Sequence, residues 1–583
     1  MNRGLFTLFC CMTLTSSIAQ NTDKLVIYQV YTRLFGNLST TNQWNGTLKQ
    51  NGSGKFNDIN TAALSSLKSF GVTHVWYTGI IEHATQTDYS AYGIQPDHPA
   101  LVKGKGGSPY AIKDYYDVDP DLAVSVPDRM KEFQSLVDRS HQAGLKVLID
   151  FVPNHVARQY HSDAKPAGVE DFGKSDDLNQ AFHPQNNFYY LPGQALVPPA
   201  PPVPVESFQK PYQELPAKAT GNDVFSATPS VNDWYEAVKL NYGVDYLQGR
   251  KGHFDPIPDT WKKMVHILSY WAAKGVDGFR CDMAEMVPVE FWAWAIPQVK
   301  KAYPNTLFIA EIYNPQAYKT YLDIGQFDYL YDKVGLYDAL RRLMEGHGHT
   351  HDITRVWQQE SGDFGHRMLR FLENHDEQRI ASQQFAENPW RGIPAMFLSA
   401  TLHGGPLMYY FGQEYGVKPT QSEGFSGEDG RTTMFDYWGV PEFQAWVNNH
   451  QYDGGKLTEE QKALYAAYRQ INAFVLNSPA IQKGAFFDLQ YLQNPLQYRS
   501  DRVYSYLRYL DGEQYLMIVN FSAYETLTTQ IRLPSGVLKK TKDAAQLNWL
   551  TSNRKENISW EELTRNGVSA SLPPNSYHII QIH

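Results

Sequence analysis

Cysteine is nearly absent from this chain. Three occur in 583 residues, and two of them, Cys10 and Cys11, fall in an N-terminal segment that reads as an export signal. Arg3 supplies the positive start, "LFTLFCCMTL" the short apolar core and "SSIAQ" the small residues for cleavage near Gln20. Export to a periplasmic or extracellular space is the expectation. Lipid attachment at Cys10 or Cys11 is disfavoured, because Phe9 or Cys10 would precede the modified residue where a small one is expected. Only Cys281 remains beyond the leader, so no internal disulfide can form there even in an oxidising compartment. Long apolar runs are missing too. After the leader no stretch of about 18 apolar residues occurs, which excludes a membrane-spanning helix. Positive charge is in deficit: 52 Lys and Arg face 61 Asp and Glu, a net charge of −9, and no basic cluster exists to neutralise phosphates. A nucleic-acid partner is therefore excluded. No HExxH motif appears, which argues against a metal-dependent hydrolase of that kind.

Aromatics are abundant, at 14% of the residues with 38 Tyr and 13 Trp. They suit thick cores, and they suit faces that stack on sugar rings; composition does not choose between these. The length exceeds what one hydrophobic core supports, so two or more domains are expected.

Eight apolar, β-branched runs recur, each followed by polar residues and a helical pattern: "KLVIYQVY", "VTHVWYTGI", "LKVLIDFVPNH", "VDGFRCD", "TLFIAEIY", "FDYLYDKV", "MLRFLENHD" and "PLMYYFGQEYG". Strands alternating with helices over about 400 residues predict an α/β fold, a (β/α)₈ TIM barrel, with its site at the C-terminal strand ends. Between His155 and Tyr242 the alternation breaks into an irregular insertion after the third strand, including "LVPPAPPVPV", too rich in proline for a helix or central strand. The proline run itself reads as a surface spacer. From Gly484 onward short alternating strands such as "RVYSYLRYL" and "QYLMIVNFS" predict a C-terminal all-β domain of the sandwich type. The expected division is a leader over 1–20, a barrel over 21–154 and 243–483, an insertion subdomain over 155–242 and the β domain over 484–583.

Charges stand where the barrel strands end. "LIDFVPNH" closes on Asn154 and His155, "GFRCD" on Arg280 and Asp282, "LFIAE" on Glu311, and "RFLENHD" on His375 and Asp376. Any one acid there is more often a cap or a salt bridge; a series of them on one rim is not explained by capping. Arg280, two residues before Asp282 on a strand, shares its face and is expected to keep it ionised. The apolar run before Glu311 is expected to desolvate that carboxyl and raise its pKa.

Taken in order and spacing, "DFVPNH", "GFRCDMAEM", "AEIY" and "ENHDEQR" resemble the four motif regions of the α-amylase family, glycoside hydrolase family 13. The resemblance implies Asp282 as nucleophile, Glu311 as general acid/base and Asp376 as transition-state stabiliser. It implies Tyr110, His155, Arg280 and His375 as substrate-binding residues. The implied activity is retaining cleavage of α-1,4-glucosidic bonds in starch-like glucans or maltooligosaccharides. A glucanotransferase with the same mechanism is the alternative, and a non-catalytic glycan-binding barrel is the reading from another class, against which all three carboxylates stand. The chemistry needs no cofactor. By the same resemblance Asn154 would ligate a structural calcium, for which oxygen donors are suited; fixing a loop by hydrogen bonds is the equal alternative. The chain departs from the family pattern in three places. Ser108 and Pro109 replace the His-Gly common before the stacking Tyr110, Glu285 and Met286 replace Lys-His after the nucleophile, and Asn241 stands where calcium binders carry Asp.

Overall fold

The computed structural model describes residues 24–200, 211–425, 427–540 and 543–583. The export signal, with Cys10 and Cys11, and the second half of the proline run lie outside the described residues.

Eight parallel strands form the central sheet: β1 (Val26–Tyr31), β2 (His74–Thr78), β3 (Lys146–Phe151), β4 (Gly278–Cys281), β5 (Leu307–Ala310), β6 (Tyr329–Tyr331), β7 (Met368–Leu369) and β8 (Leu407–Tyr410). Each lies within one of the eight runs of the sequence. A parallel bridge between Arg370 and Leu407 brings β7 against β8 and closes the barrel. Period-two alternation sorts the side chains. Ile27, Trp76, Leu148, Ile309, Tyr331, Leu369 and Met408 meet one another inside the barrel, whereas their neighbours Tyr28, Val75, Tyr77, Val147, Ile149, Phe279 and Phe308 join the core under the helices. Two residues further along, several strands turn polar: Gln29, Thr78, Asp150 and Glu311 stand above Ile27, Trp76, Leu148 and Ile309, and all four are buried. The barrel thus has an apolar plug and, above it, a polar floor.

The outer helices follow from their stripes. In Asp259–Ala273, the buried residues Trp261, Met264, Ile267, Leu268 and Trp271 recur at helical spacing. Gly275, at φ +87°, turns the chain out of that helix and into β4. Gly278 opens β4 where a Cβ would lie 2.7 Å from the Leu307 carbonyl oxygen, so the close approach of β4 to β5 requires glycine there.

The insertion after β3 is built of short strand pairs, His155–Ala157 antiparallel to Ala237–Lys239 and Tyr190–Leu191 antiparallel to Ala217–Lys218. Beyond the long helix Glu459–Asn477, six antiparallel strands form a sheet, and a further pair, Leu527–Ile531 with Val568–Leu572, shares its core. A short α-helix, Trp560–Arg565, and a single helical turn, Gln490–Leu492, interrupt the strands of this unit. The unit is bound to the barrel: the rings of Phe397 and Tyr577 stack at 3.8 Å, and buried Arg508 donates to the carbonyl oxygens of Leu402, Ala480 and Ile481. No helix among the described residues is long and apolar enough to cross a membrane.

Candidate active site

A cavity of about 1100 Å³ opens at the C-terminal rim of the barrel. Six of the residues singled out in the sequence line it together: Tyr110, His155, Asp282, Glu311, His375 and Asp376. Arg280 and Asn154 do not; they lie behind the wall, 1% and 0% exposed.

Strand register places the acids. Arg280 of β4 is paired with Asp150 of β3 on one side and Ile309 of β5 on the other, so Asp282 and Glu311 leave adjacent strands at the same height. Met283 then takes a left-handed conformation (φ +43°, ψ 42°), unusual outside glycine, and its N–H donates to Glu311 Oε2 at 2.8 Å. Tyr313 Oη donates to Glu311 Oε1 at 2.7 Å. The guanidinium of Arg280 joins the set: Nη1 donates to Asp282 Oδ1 at 2.7 Å and to Asp150 Oδ1 at 3.3 Å, Nη2 lies 2.7 Å from Glu311 Oε1, and Nε donates to Tyr331 Oη at 3.2 Å. Its faces are covered by the rings of Trp76, Tyr110 and Tyr331 at about 5.5 Å.

These contacts bear on two expectations about charge. Glu311 is desolvated as expected, 2% exposed, yet an N–H, a hydroxyl and a guanidinium face its oxygens. Arg280 does pull Asp282 toward ionisation, but burial is the larger effect, and Glu311 and Asp150 add to it, so the Asp282 pKa stands well above the usual carboxylate range. Burial likewise raises Asp150 to about 6, against the pull of Arg280. Asp376 is pushed up to about 7, first by burial and then by Glu311. Its side chain is 34% exposed to the cavity, so solvent screens part of that push. Asp150, Asp282 and Asp376 therefore each hold a proton to higher pH than a free carboxyl does.

Both histidines are neutral. Burial, reinforced by the charges of Lys239 and Lys103, lowers His155 to about 3, and burial with Arg280 takes His375 well below its ordinary value. His375 Nδ1 accepts from Gln29 Nε2 at 2.9 Å, which leaves the proton on Nε2, 2.6 Å from Tyr110 Oη and 3.2 Å from Asp376 Oδ2.

Asn154, expected as an oxygen ligand for calcium or as a loop-fixing hydrogen bonder, gives its Oδ1 to the ammonium of Lys239. That ammonium lies 2.7 Å from Asp223 Oδ1 and donates to the Met286 carbonyl oxygen at 3.3 Å. A dication needs six to eight oxygens; here the oxygens already face a cation, and the donor set does not fit calcium. No group of three His, Cys, Asp or Glu residues suited to a metal occurs among the described residues.

Several cavity residues carried no signal in the sequence. Trp44, Lys103, Trp234, Glu236 and Phe425 reach it from loops distant in the chain. Lys103 and Glu236 form an ion pair of 2.7 Å between the loop before Tyr110 and the returning strand of the insertion. Arg431, from the loop after β8, donates to the Asp376 carbonyl oxygen at 2.6 Å. Tyr313 and Asp150 lay in quoted motifs, and the period-two rule applied to "LIDF" and "AEIY" could have found both.

Known proteins resemble this chain in sequence and in fold. A family model described as the alpha amylase catalytic domain matches residues 29–437. An alpha-amylase of Streptomyces lividans is 25% identical over 412 residues, covering 64% of this chain and 41% of that one, so the chain spans well under half of that relative. An oligo-1,6-glucosidase of Parageobacillus thermoglucosidasius is 22% identical over 620 residues, covering 91% of this chain and 95% of the other. Among solved structures, the alpha-amylase from Geobacillus thermoleovorans complexed with acarbose superposes with a TM-score of 0.62 at 18% identity, covering 96% of this chain and 98% of that chain.

Proposed function

This chain belongs to the alpha-amylase family, and from that premise we propose that it is an exported, retaining hydrolase of α-1,4-linked glucans or maltooligosaccharides. The observation that carries the reading is the single guanidinium of Arg280 touching both Asp282 and Glu311 on the floor of the cavity. Such a bridge keeps the two carboxyls neighbours, which favours the spacing of about 5 to 5.5 Å used by retaining enzymes over the roughly 6.5–9.5 Å of inverting ones.

Asp282, on the strained turn after β4, attacks the anomeric carbon; the bond from that carbon to the glycosidic oxygen breaks, and Glu311, as the general acid, gives a proton to the departing oxygen. The N–H of Met283 and the hydroxyl of Tyr313 hold Glu311 in place and favour the carboxylate that this step creates. Glu311 then takes a proton from water, the water oxygen bonds to the anomeric carbon, and Asp282 leaves. Positive charge on the sugar grows in both transition states, where the surrounding carboxylates, Asp376 among them, offset it. His155 and His375, both neutral, are suited to hydrogen-bond hydroxyls, and Tyr110 offers a ring to the apolar face of the sugar.

Products from starch, pullulan and maltoheptaose, separated by chromatography with the anomer read by NMR, test this reading. The expected result is shorter maltooligosaccharides released in the α configuration. Inverted products would refute it. Products longer than maltoheptaose would establish the transferase reading, which needs the same residues and differs only in what resolves the intermediate.

A further inference from the structure

We infer that Lys239 serves as a built-in cation: its ammonium joins the insertion to the barrel, where it makes a structural calcium unnecessary, and it orients His155 toward the substrate through Asn154.

Three separate segments converge on this ammonium. Asn154 Oδ1 comes from the turn after β3, Asp223 Oδ1 from a turn of the insertion, and the Met286 carbonyl oxygen from the segment four residues beyond Asp282. Lys239 is buried, and its backbone is paired in register with His155. A buried ammonium with three oxygen partners is a cross-link made by the chain itself, and a dication brought to the same oxygens would meet a like charge.

The same contact has a consequence for chemistry. With Oδ1 committed to the ammonium, the amide of Asn154 has only one orientation. Its Nδ2 donates to the Gly221 carbonyl oxygen at 2.8 Å and to His155 Nδ1 at 3.1 Å. An NH₂ group can only donate, so Nδ1 of His155 is the acceptor and the ring proton sits on Nε2. The ring lines the cavity and packs against Trp234 at 5.2 Å, and its remaining N–H, which faces the Tyr110 backbone beside the cavity, is the one that can reach a sugar hydroxyl. Lys239 is thus a positioning residue, acting on substrate through Asn154 and His155.

The test uses the full chain. Thermal unfolding of the wild type should give the same Tm after EDTA as with millimolar CaCl₂; a Tm that falls with chelator and recovers with calcium would overturn the inference. In Lys239→Met the Asn154 amide is free to turn over. Assayed well below its own Tm on a glucan the wild type cleaves, the variant should lose about tenfold in kcat/KM, the effect of one misplaced hydrogen bond. Lys239→Arg, which keeps a cation and its donors, should recover part of that loss. A Lys239→Met enzyme with wild-type kinetics would refute the positioning role even if its Tm fell. The kinetic arm rests on the function proposed above, whereas the chelator arm uses no substrate, so failure of one is distinguishable from failure of the other.

Discussion

At the residue scale, Asp282 and Glu311 share a guanidinium but differ in what else they touch, and that difference assigns their tests. Asp282→Asn is nearly isosteric and can keep the contact with Arg280, yet an amide cannot attack carbon. Turnover should fall by about 10³-fold or more with the Tm little changed, and near-normal steady-state rates would remove Asp282 as nucleophile. Glu311→Gln should be selective. Starch, whose leaving group needs a proton, should be lost as a substrate, whereas an aryl glycoside with a good leaving group should still form the intermediate, and added azide should speed its release. Equal losses on both substrates without azide rescue would make Glu311 structural.

The elements matter for what they hold over this floor. The strand Ala237–Lys239 returns from the insertion beside His155, and just before it Glu236 reaches across to Lys103, so that pair fastens the insertion to the loop preceding Tyr110. Lys103 is 24% exposed and Glu236 7%, a partly screened contact worth about 1 kcal/mol at most. Lys103→Met should therefore loosen the wall without touching the reacting atoms: KM for short maltooligosaccharides should rise up to about fivefold, with kcat held. A drop in kcat at constant KM, measured on the same substrates, would place Lys103 in the chemistry instead.

For the whole molecule, the acid cluster sets how stability varies with pH. Asp150 and Asp376 bind their protons more tightly when folded than when unfolded, at about 6 and about 7 against an ordinary value of 3.8. The stability they contribute is fully present below about pH 4 and is lost as pH rises through 6 and 7, because the folded chain must then bury the charges, with other carboxylates close by. Asp376→Asn, which removes one of them, should gain in Tm relative to the wild type between pH 5 and pH 8 while losing activity. The two curves should converge at the acid end. A variant that melts below the wild type at pH 8 would contradict this account of the charge balance.

Local pattern determined a great deal. The eight strands are legible as β-branched runs between turn signals, because alternation and burial act on neighbours in the chain, and the strand-end residues Asp282, Glu311, His375 and Asp376 are legible because each terminates such a run. Tertiary structure alone decided how the charges balance. Arg280 and Asp150 are 130 residues apart, Lys239 and Asn154 85 apart, and neither spacing marks them as partners. Arg280 reads in the sequence as a neighbour of one acid; in the barrel, register brings three carboxyls to it, and burial outweighs its pull on Asp282. Asn154 reads equally as a calcium ligand and as a loop-fixing hydrogen bonder; a strand from the insertion brings an ammonium to its oxygen, and the contacts formed are those of the second. Both outcomes have one cause: electrostatic energy depends on every charge within a few ångströms and on the water excluded among them, and a linear pattern records neither.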